Sequence, residues 1–131
     1  MDQTFVLREE GFHPESAARE ESLFSLGNGF LGWRGNYEEG YGQFRGGVEG
    51  CYLNGFYETE KIRYGEIAYG YAEESQTMLN ITSSQRVLLE AEGTALHPDG
   101  AESTCRVLVM ERGLLRRETV DALPGGGKPR A

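Results

Sequence analysis

Basic residues, cysteines and long apolar runs are all scarce in this chain of 131 residues. Its 13 Lys and Arg residues stand against 21 Asp and Glu residues, which gives a formal net charge of −8. A surface this acidic repels phosphate backbones, so we do not expect a nucleic-acid partner. No apolar run approaches the roughly 20 residues that a membrane-spanning helix needs, so we expect no membrane span.

Only two cysteines and two histidines are present. Cys51 and Cys105 could form a disulfide, but the N-terminus shows no secretory signal, which favours two reduced thiols in a cytoplasmic protein. Neither cysteine has a second ligand at the spacing of a zinc site, and His13 and His97 lie far apart in the chain. The sequence therefore predicts no metal site and no resident cofactor.

Nineteen glycines divide the chain into short segments. The best helix candidate is Glu15–Glu21, which follows Pro14 and has two turns at most. Short apolar runs bounded by turn residues predict strands. They are Thr4–Leu7, Leu23–Leu26, Cys51–Tyr57, Thr77–Ile81, Arg86–Glu92, Thr104–Met110 and Leu114–Thr119. We therefore predict an all-β fold, an antiparallel sandwich over residues 1–122, followed by a flexible tail at 123–131.

The segment Gly27–Gly32 matches the dinucleotide-binding pattern G-x-G-x-x-G. That pattern binds a pyrophosphate only when its third glycine lies in a helix whose N-terminus faces the ligand. Gly35, Gly40 and Gly42 follow closely, so we expect no helix here and no nucleotide site.

The same region resembles a different family. Residues 21–36 (ESLFSLGNGFLGWRGN) resemble the opening segment of glycoside hydrolase family 65, which includes the maltose, trehalose and kojibiose phosphorylases. Further blocks of resemblance follow in order at Tyr52–Glu58, Tyr64–Gly70 and Gln76–Asn80, and a weaker resemblance follows at Arg112–Arg117. Four ordered blocks are far more specific than one glycine motif. Beyond Glu118 the sequence is expected to depart from the family pattern.

This resemblance implies an architecture and a division of roles. The matching region of the family is the front part of an N-terminal super-β-sandwich, followed by a helical linker, an (α/α)6 barrel and a small β domain. The catalytic glutamate and the residues that bind inorganic phosphate, a co-substrate, lie in that barrel. The resemblance thus implies an incomplete sandwich that is not an enzyme by itself, whose partner is the barrel of a parent that cleaves an α-linked disaccharide.

The acidic residues of the chain suggest no catalytic pair. Glycosidic cleavage usually requires a carboxylic acid on one side of the sugar and a base, nucleophile or phosphate on the other. Glu66 stands among Tyr64, Tyr69 and Tyr71, a setting that would suit a general acid if the carboxyl were buried. The commoner role of such an acid is to accept hydrogen bonds from backbone N–H groups at a strand end.

Two functions remain open. The first is an interaction module that packs on the barrel and shapes its mouth through Gly27–Asn36. The second is an independent carbohydrate-binding module that stacks sugars on aromatic side chains. The candidate platforms are Trp33, Tyr41 and Tyr57. We favour the first on the family resemblance.

Within Gly27–Asn36, the residues predicted to contact a partner or a sugar are Asn28, Phe30, Trp33 and Arg34. The alternative is that Phe30 and Trp33 fill the core while Arg34 is solvated. Strand edges left unpaired in an incomplete sandwich also predict self-association.

Overall fold

The computed structural model describes residues 5–121 of the chain. This part contains nine strands, one helix (α1) and two 3₁₀ turns, at Pro98–Gly100 and Met110–Arg112. In chain order the elements are β1 (Val6–Glu10), α1 (Ala17–Leu23), β2 (Leu26–Gly27), β3 (Leu31–Trp33), β4 (Cys51–Lys61), β5 (Glu74–Asn80), β6 (Glu90–Ala91), β7 (Thr94–Ala95), β8 (Ser103–Val109) and β9 (Leu114–Val120).

The strands form three antiparallel sheets. One has the order β1-β8-β9, the second the order β2-β3-β4-β5, and β6 pairs with β7 in a small third sheet. The long pairing of β8 with β9 turns at Gly113, whose φ of +56° suits a residue without Cβ. The predicted all-β architecture is confirmed.

The core lies where α1 and the loop after β3 meet the inner face of β8. Along β8, alternate residues point inward, among them Arg106 and Leu108, as the two-residue period of a strand requires. The buried Arg106 guanidinium lies 4.6 Å from the ring centre of Phe24 and 4.3 Å from that of Tyr37. It also forms an ion pair with Glu9 on β1. A cation thus occupies a position where an apolar residue would be usual, and both rings and a carboxylate compensate for its burial.

The helix is displaced from its predicted range of Glu15–Glu21. It runs over Ala17–Leu23. Ala17, Glu21 and the following Phe24 are buried on one face of this segment, so the helix covers the residues that bring these side chains to the core. The strand predicted at Leu23–Leu26 was consequently wrong at its start. Leu23 ends the helix, and the strand that follows, β2, has two residues.

The strand predicted at Arg86–Glu92 was also largely wrong. Only Glu90–Ala91 is extended and paired, in a hairpin that turns at Gly93. The apolar residues that suggested the strand do not face the core, since Leu88 is 71% exposed. Val87 donates its N–H to the carbonyl of Glu38, a loop residue, over 2.9 Å. Conversely, β3 was not predicted, because its glycine obscured the strand pattern.

The remaining predictions hold with shifted boundaries. Strands β4, β5, β8 and β9 each overlap a predicted strand, and β1 begins at Val6, whereas Thr4 lies outside the described residues. The tail predicted at 123–131 also lies outside them. Both cysteines are free, Cys51 on β4 and Cys105 on β8, in different sheets. Between residues 5 and 121 there is no helix long and apolar enough to cross a membrane, and no cluster of side chains arranged to hold a metal ion.

Candidate functional site

The glycine-rich segment folds into a tight β-hairpin that joins β2 to β3. The side-chain Oδ1 of Asn28 accepts hydrogen bonds from the N–H groups of Phe30 and Leu31, at 3.0 and 2.8 Å. Gly29 has a φ of +84°, which favours a residue without Cβ. Gly32 pairs with Gly27 across the hairpin and lies in a strand. The third glycine therefore does not open a helix, so the feature that the dinucleotide-binding pattern requires is not formed here.

This hairpin borders an apolar groove of about 370 Å³. Phe30 stands on its lip with 66% of its surface exposed, whereas Trp33 is half-buried. The backbone carbonyl of Phe30 accepts a hydrogen bond from the N–H of Asn54 over 2.8 Å, which holds the lip against β4. Other residues that line the groove are Leu26, Leu31, Arg34, Tyr52, Asn54 and Met78. Phe30 and Trp33 thus share one surface, and Phe30 is not a core residue.

Arg34 is directed inward, which contradicts the alternative that it is solvated. Its Nε donates to the carbonyl of Val48 and its Nη2 to the carbonyl of Ala18, both over 2.9 Å. The same Nη2 lies 3.6 Å from Oε2 of Glu21. Arg34 therefore ties the end of the hairpin to α1 and to the loop before β4, although part of its side chain reaches the groove.

Glu21 is the fully buried acid at the centre of this arrangement. Its Oε1 accepts a hydrogen bond from the hydroxyl of Tyr41 over 2.7 Å, and its Oε2 accepts one from the N–H of Val48 over 2.9 Å. Burial, together with the hydrogen bond to Glu21, raises the pKa of Tyr41, so its hydroxyl stays protonated. Sequence reasoning missed Glu21, because an acid within the run Glu20–Glu21 is usually exposed.

The proposed sugar platforms differ in their availability. The ring of Tyr41 packs against Phe12 and Phe44, with ring centres 5.3 and 5.0 Å apart, and its hydroxyl donates to Glu21, so Tyr41 is engaged within the fold. Tyr57 is exposed, and its hydroxyl donates to Oδ1 of Asn54 over 3.1 Å. Trp33 offers only part of its surface.

Asp99 organises the loop that carries Tyr41. Its carboxylate accepts hydrogen bonds from the backbone N–H groups of Gly42, Gln43 and Phe44, at 2.8, 2.7 and 2.9 Å. Burial raises the pKa of Asp99, but these three bonds outweigh that effect and hold it below its ordinary value. The backbone concavity, which could otherwise bind an anion, is occupied by the protein's own carboxylate.

The other acids considered for catalysis are placed unfavourably. Glu66 is exposed at the end of the hairpin between β4 and β5, so the burial that a general acid would need is missing. Glu38 and Glu39 both pair with Arg117, at 2.7 and 2.5 Å, and serve to hold β9 against the loop after β3.

Comparison with known proteins gives consistent matches to disaccharide phosphorylases. The alpha,alpha-trehalose phosphorylase of Thermoanaerobacter brockii is 36% identical over 127 residues, which are 95% of this chain and 16% of that protein. The maltose phosphorylase of Bacillus subtilis is 35% identical over 111 residues, 83% of this chain and 14% of that protein. A solved structure from the human microbiome, described provisionally as a kojibiose phosphorylase, matches with a TM-score of 0.74 and 27% identity, over 92% of this chain and 16% of that one.

The matching protein family is described as the N-terminal domain of glycosyl hydrolase family 65, and its match covers residues 7–130. The match continues past Glu118, so the departure from the family pattern expected there was wrong. The chain spans about one sixth of the length of its curated relatives. It belongs to glycosyl hydrolase family 65, of which it is the N-terminal domain.

Proposed function

We propose that this chain is the non-catalytic N-terminal β-sandwich of a family 65 enzyme, and that it packs on an (α/α)6 catalytic barrel and shapes the mouth of that barrel. The observation that carries the proposal is the groove beside the β2–β3 hairpin, with Phe30 exposed on its lip. An exposed aromatic side chain beside an apolar groove is typical of a protein contact.

The hairpin suits a docking role because it is held in one conformation before a partner binds. Asn28 closes its turn, and the hydrogen bond between Asn54 and Phe30 holds it against the sheet. A contact surface that is already ordered loses little conformational entropy on association. Arg34 fixes the base of the hairpin, so we assign it the role of positioning the contact surface formed by Phe30 and Trp33.

In this proposal, cleavage of the glycosidic bond takes place in the barrel and not in this domain. Cleavage of a glycosidic bond needs a proton donor and an opposing group across the sugar. The acids described here are either engaged within the fold, as Glu21 and Glu39 are, or exposed, as Glu66 is. Several relatives are named as phosphorylases of trehalose, maltose or kojibiose, so we propose an α-linked disaccharide and inorganic phosphate as substrates of the parent enzyme.

A stand-alone carbohydrate-binding module is the second candidate. Tyr57 is exposed and bonded to Asn54, and Asn54 lines the same groove as Trp33. Aromatic faces beside an amide could hold a sugar ring. We rank this function second, because the groove is mostly apolar and its cation, Arg34, is already bonded to backbone carbonyls.

Two measurements on the purified chain test the proposal. It should release neither glucose nor glucose 1-phosphate from trehalose, maltose or kojibiose, with or without phosphate. Calorimetric titration with the same sugars should give no binding heat. Sugar release by the pure chain would overturn the non-catalytic role, and saturable binding with a Kd of about 1 mM or tighter would favour the second candidate.

We also propose that the isolated chain associates with itself through strand edges. Strand β9 is the outer strand of its sheet among residues 5–121, and it exposes Leu114 and Val120. Exposed edges and apolar side chains promote association. The purified chain should therefore bind a hydrophobic dye and elute ahead of a monomer. A monomeric peak with cooperative unfolding would contradict this.

We propose the cytoplasm as the place where the protein acts. Cys51 and Cys105 are both free thiols, and the reducing cytosol preserves that state.

A further inference from the structure

The hairpin formed by β4 and β5 extends well past the groove. We call residues 57–78 the arm and residues 62–73 its tip. Tyr57 pairs with Met78, and the pairing continues residue by residue to Lys61 and Glu74. The tip carries the sequence Tyr64–Gly70, one of the blocks of family resemblance, for which the proposed function gives no role.

The tip is ordered by its own hydrogen bonds. Ile62 donates its N–H to the carbonyl of Glu73 over 2.9 Å, which extends the ladder beyond the strands. The hydroxyl of Tyr64 donates to the carbonyl of Ala72 over 3.0 Å. The rings of Tyr64 and Tyr71 pack with their centres 4.9 Å apart. These contacts fix the tip in a defined shape.

Despite this order, the tip presents two large apolar side chains to solvent. Ile67 is 91% exposed, and Tyr69 is fully exposed. A single exposed apolar residue needs no explanation. Two of them within three residues, at the hydrogen-bonded end of the arm and lining an open hollow of about 850 Å³, are arranged like the anchors of a protein contact.

The charge of the arm restricts what it can contact. The arm has five glutamates and two basic residues, a net charge of −3 within a chain of net charge −8. They are Glu58, Glu60, Glu66, Glu73, Glu74, Lys61 and Arg63. A second copy of the arm would bring the same negative charge to the tip, so like-charge repulsion disfavours a contact between two arms, whereas the edge proposed for self-association, β9, lies in a different sheet. The complementary surface is an apolar recess with Lys and Arg residues at its rim.

We propose that the arm tip inserts Ile67 and Tyr69 into such a recess on the polypeptide that follows this domain in family 65 enzymes. The chain matches only 16% of the length of its trehalose phosphorylase relative, so most of the surface of that relative lies outside the matching domain. This inference rests on the proposed function and adds a second point of attachment, separate from the groove.

The test uses a chimera, the trehalose phosphorylase of T. brockii with its 127 matching residues replaced by this chain. Ile67 is replaced by photoreactive p-benzoylphenylalanine, and Leu88, which is also exposed but lies outside the arm, serves as the matched control position. Irradiation should cross-link position 67 to a site in the same polypeptide. That site should lie beyond the N-terminal domain and next to basic residues. Position 88 should give little or none of this product.

The alternative results are decisive. Cross-links between two polypeptides would assign the tip to a second copy, and equal yields from positions 67 and 88 would show that the tip is not special. Either result overturns the inference. Neither depends on the groove, which is tested separately through Phe30, so failure of the arm contact can be distinguished from failure of the proposed function.

A second measurement does not require the chimera to fold. In the intact T. brockii enzyme, one hairpin aligns with the arm tip, and carbene footprinting should show that its side chains are protected from labelling. In the free chain, Ile67 and Tyr69 should be labelled heavily. Equal labelling in the two proteins would contradict the inference.

Discussion

The guanidinium of Arg106 donates a hydrogen bond from Nη1 to the backbone carbonyl of Gly35 over 2.6 Å. This contact joins the centre of β8 to the chain just after β3, 71 residues away in sequence. Gly35 also donates its N–H to the carbonyl of Glu21 over 2.7 Å, at the end of α1. Gly35 is therefore the point at which the groove-bearing sheet, the helix and the β1-β8-β9 sheet meet.

The first prediction concerns the space around Gly35. A Cβ at this position would lie 2.5 Å from Cβ of Phe24 and 2.7 Å from its backbone carbon, neither of which can move without disturbing the core. Gly35→Ala should therefore lower the free energy of unfolding by about 1–3 kcal/mol, the cost of overpacking. Gly65→Ala is the matched control, because nothing lies within 4 Å of its Cβ position. Urea denaturation of both variants checks this, and equal midpoints would contradict it.

The second prediction concerns the buried carboxylate of Glu21. Glu21→Gln keeps the size of the side chain but removes the charge that faces Arg34 and turns an amide N–H₂ group towards either Tyr41 or Val48. We expect a loss of about 2–3 kcal/mol in the free energy of unfolding, since hydrogen bonds to charged groups are the stronger ones. Thermal and urea unfolding measure the loss. The exposed Glu66→Gln should leave stability unchanged, and a Glu21→Gln protein as stable as this control would disprove the buried network.

The third prediction is a pH dependence that arises at Asp99. Three backbone N–H groups outweigh burial and hold the pKa of Asp99 below its ordinary value of 3.8. A carboxyl whose pKa is lower in the folded state stabilises the fold above its unfolded pKa, and this stabilisation is lost as the pH falls through the folded pKa. Asp99→Asn should therefore destabilise the protein at pH 7, and the difference from wild type should shrink below pH 3.8. A difference that stays constant from pH 7 to pH 2.5 would contradict the assignment.

Local patterns were enough to predict much of the fold. Strands β4, β5, β8 and β9 were identified from apolar runs between turn residues, because strand formation and turn chemistry are encoded within a few positions. The glycine-rich segment was correctly predicted not to open a helix, since Gly32 lies in a strand. The error at Arg86–Glu92 arose because an apolar run such as Val87–Leu89 does not reveal whether it faces a core.

The candidate site was only partly predictable. Phe30 and Trp33 border the same groove, but the hairpin that brings them together was not predicted, because the glycine in β3 obscured the strand pattern. Their role in contacting a partner stays a prediction. The inward direction of Arg34 was not predicted, because its partners Ala18 and Val48 are 16 and 14 residues away. The burial of Arg106 depends on Glu9, 97 residues earlier, and no local pattern reports such a pairing.

The groove beside the hairpin is proposed to attach this domain to the catalytic part of the enzyme. The most direct test is the rate of trehalose phosphorolysis by the chimera carrying Phe30→Ala, with Phe56→Ala as the control, since Phe56 is 49% exposed but does not line the groove. We expect the loss of this contact to change the shape of the barrel mouth and to raise the activation free energy of phosphorolysis by about 1.4 kcal/mol, which would lower kcat/KM roughly tenfold. We expect that drop for Phe30→Ala, normal activity for Phe56→Ala, and unchanged unfolding of the isolated domain in both variants. Full activity of the Phe30→Ala chimera would contradict the account.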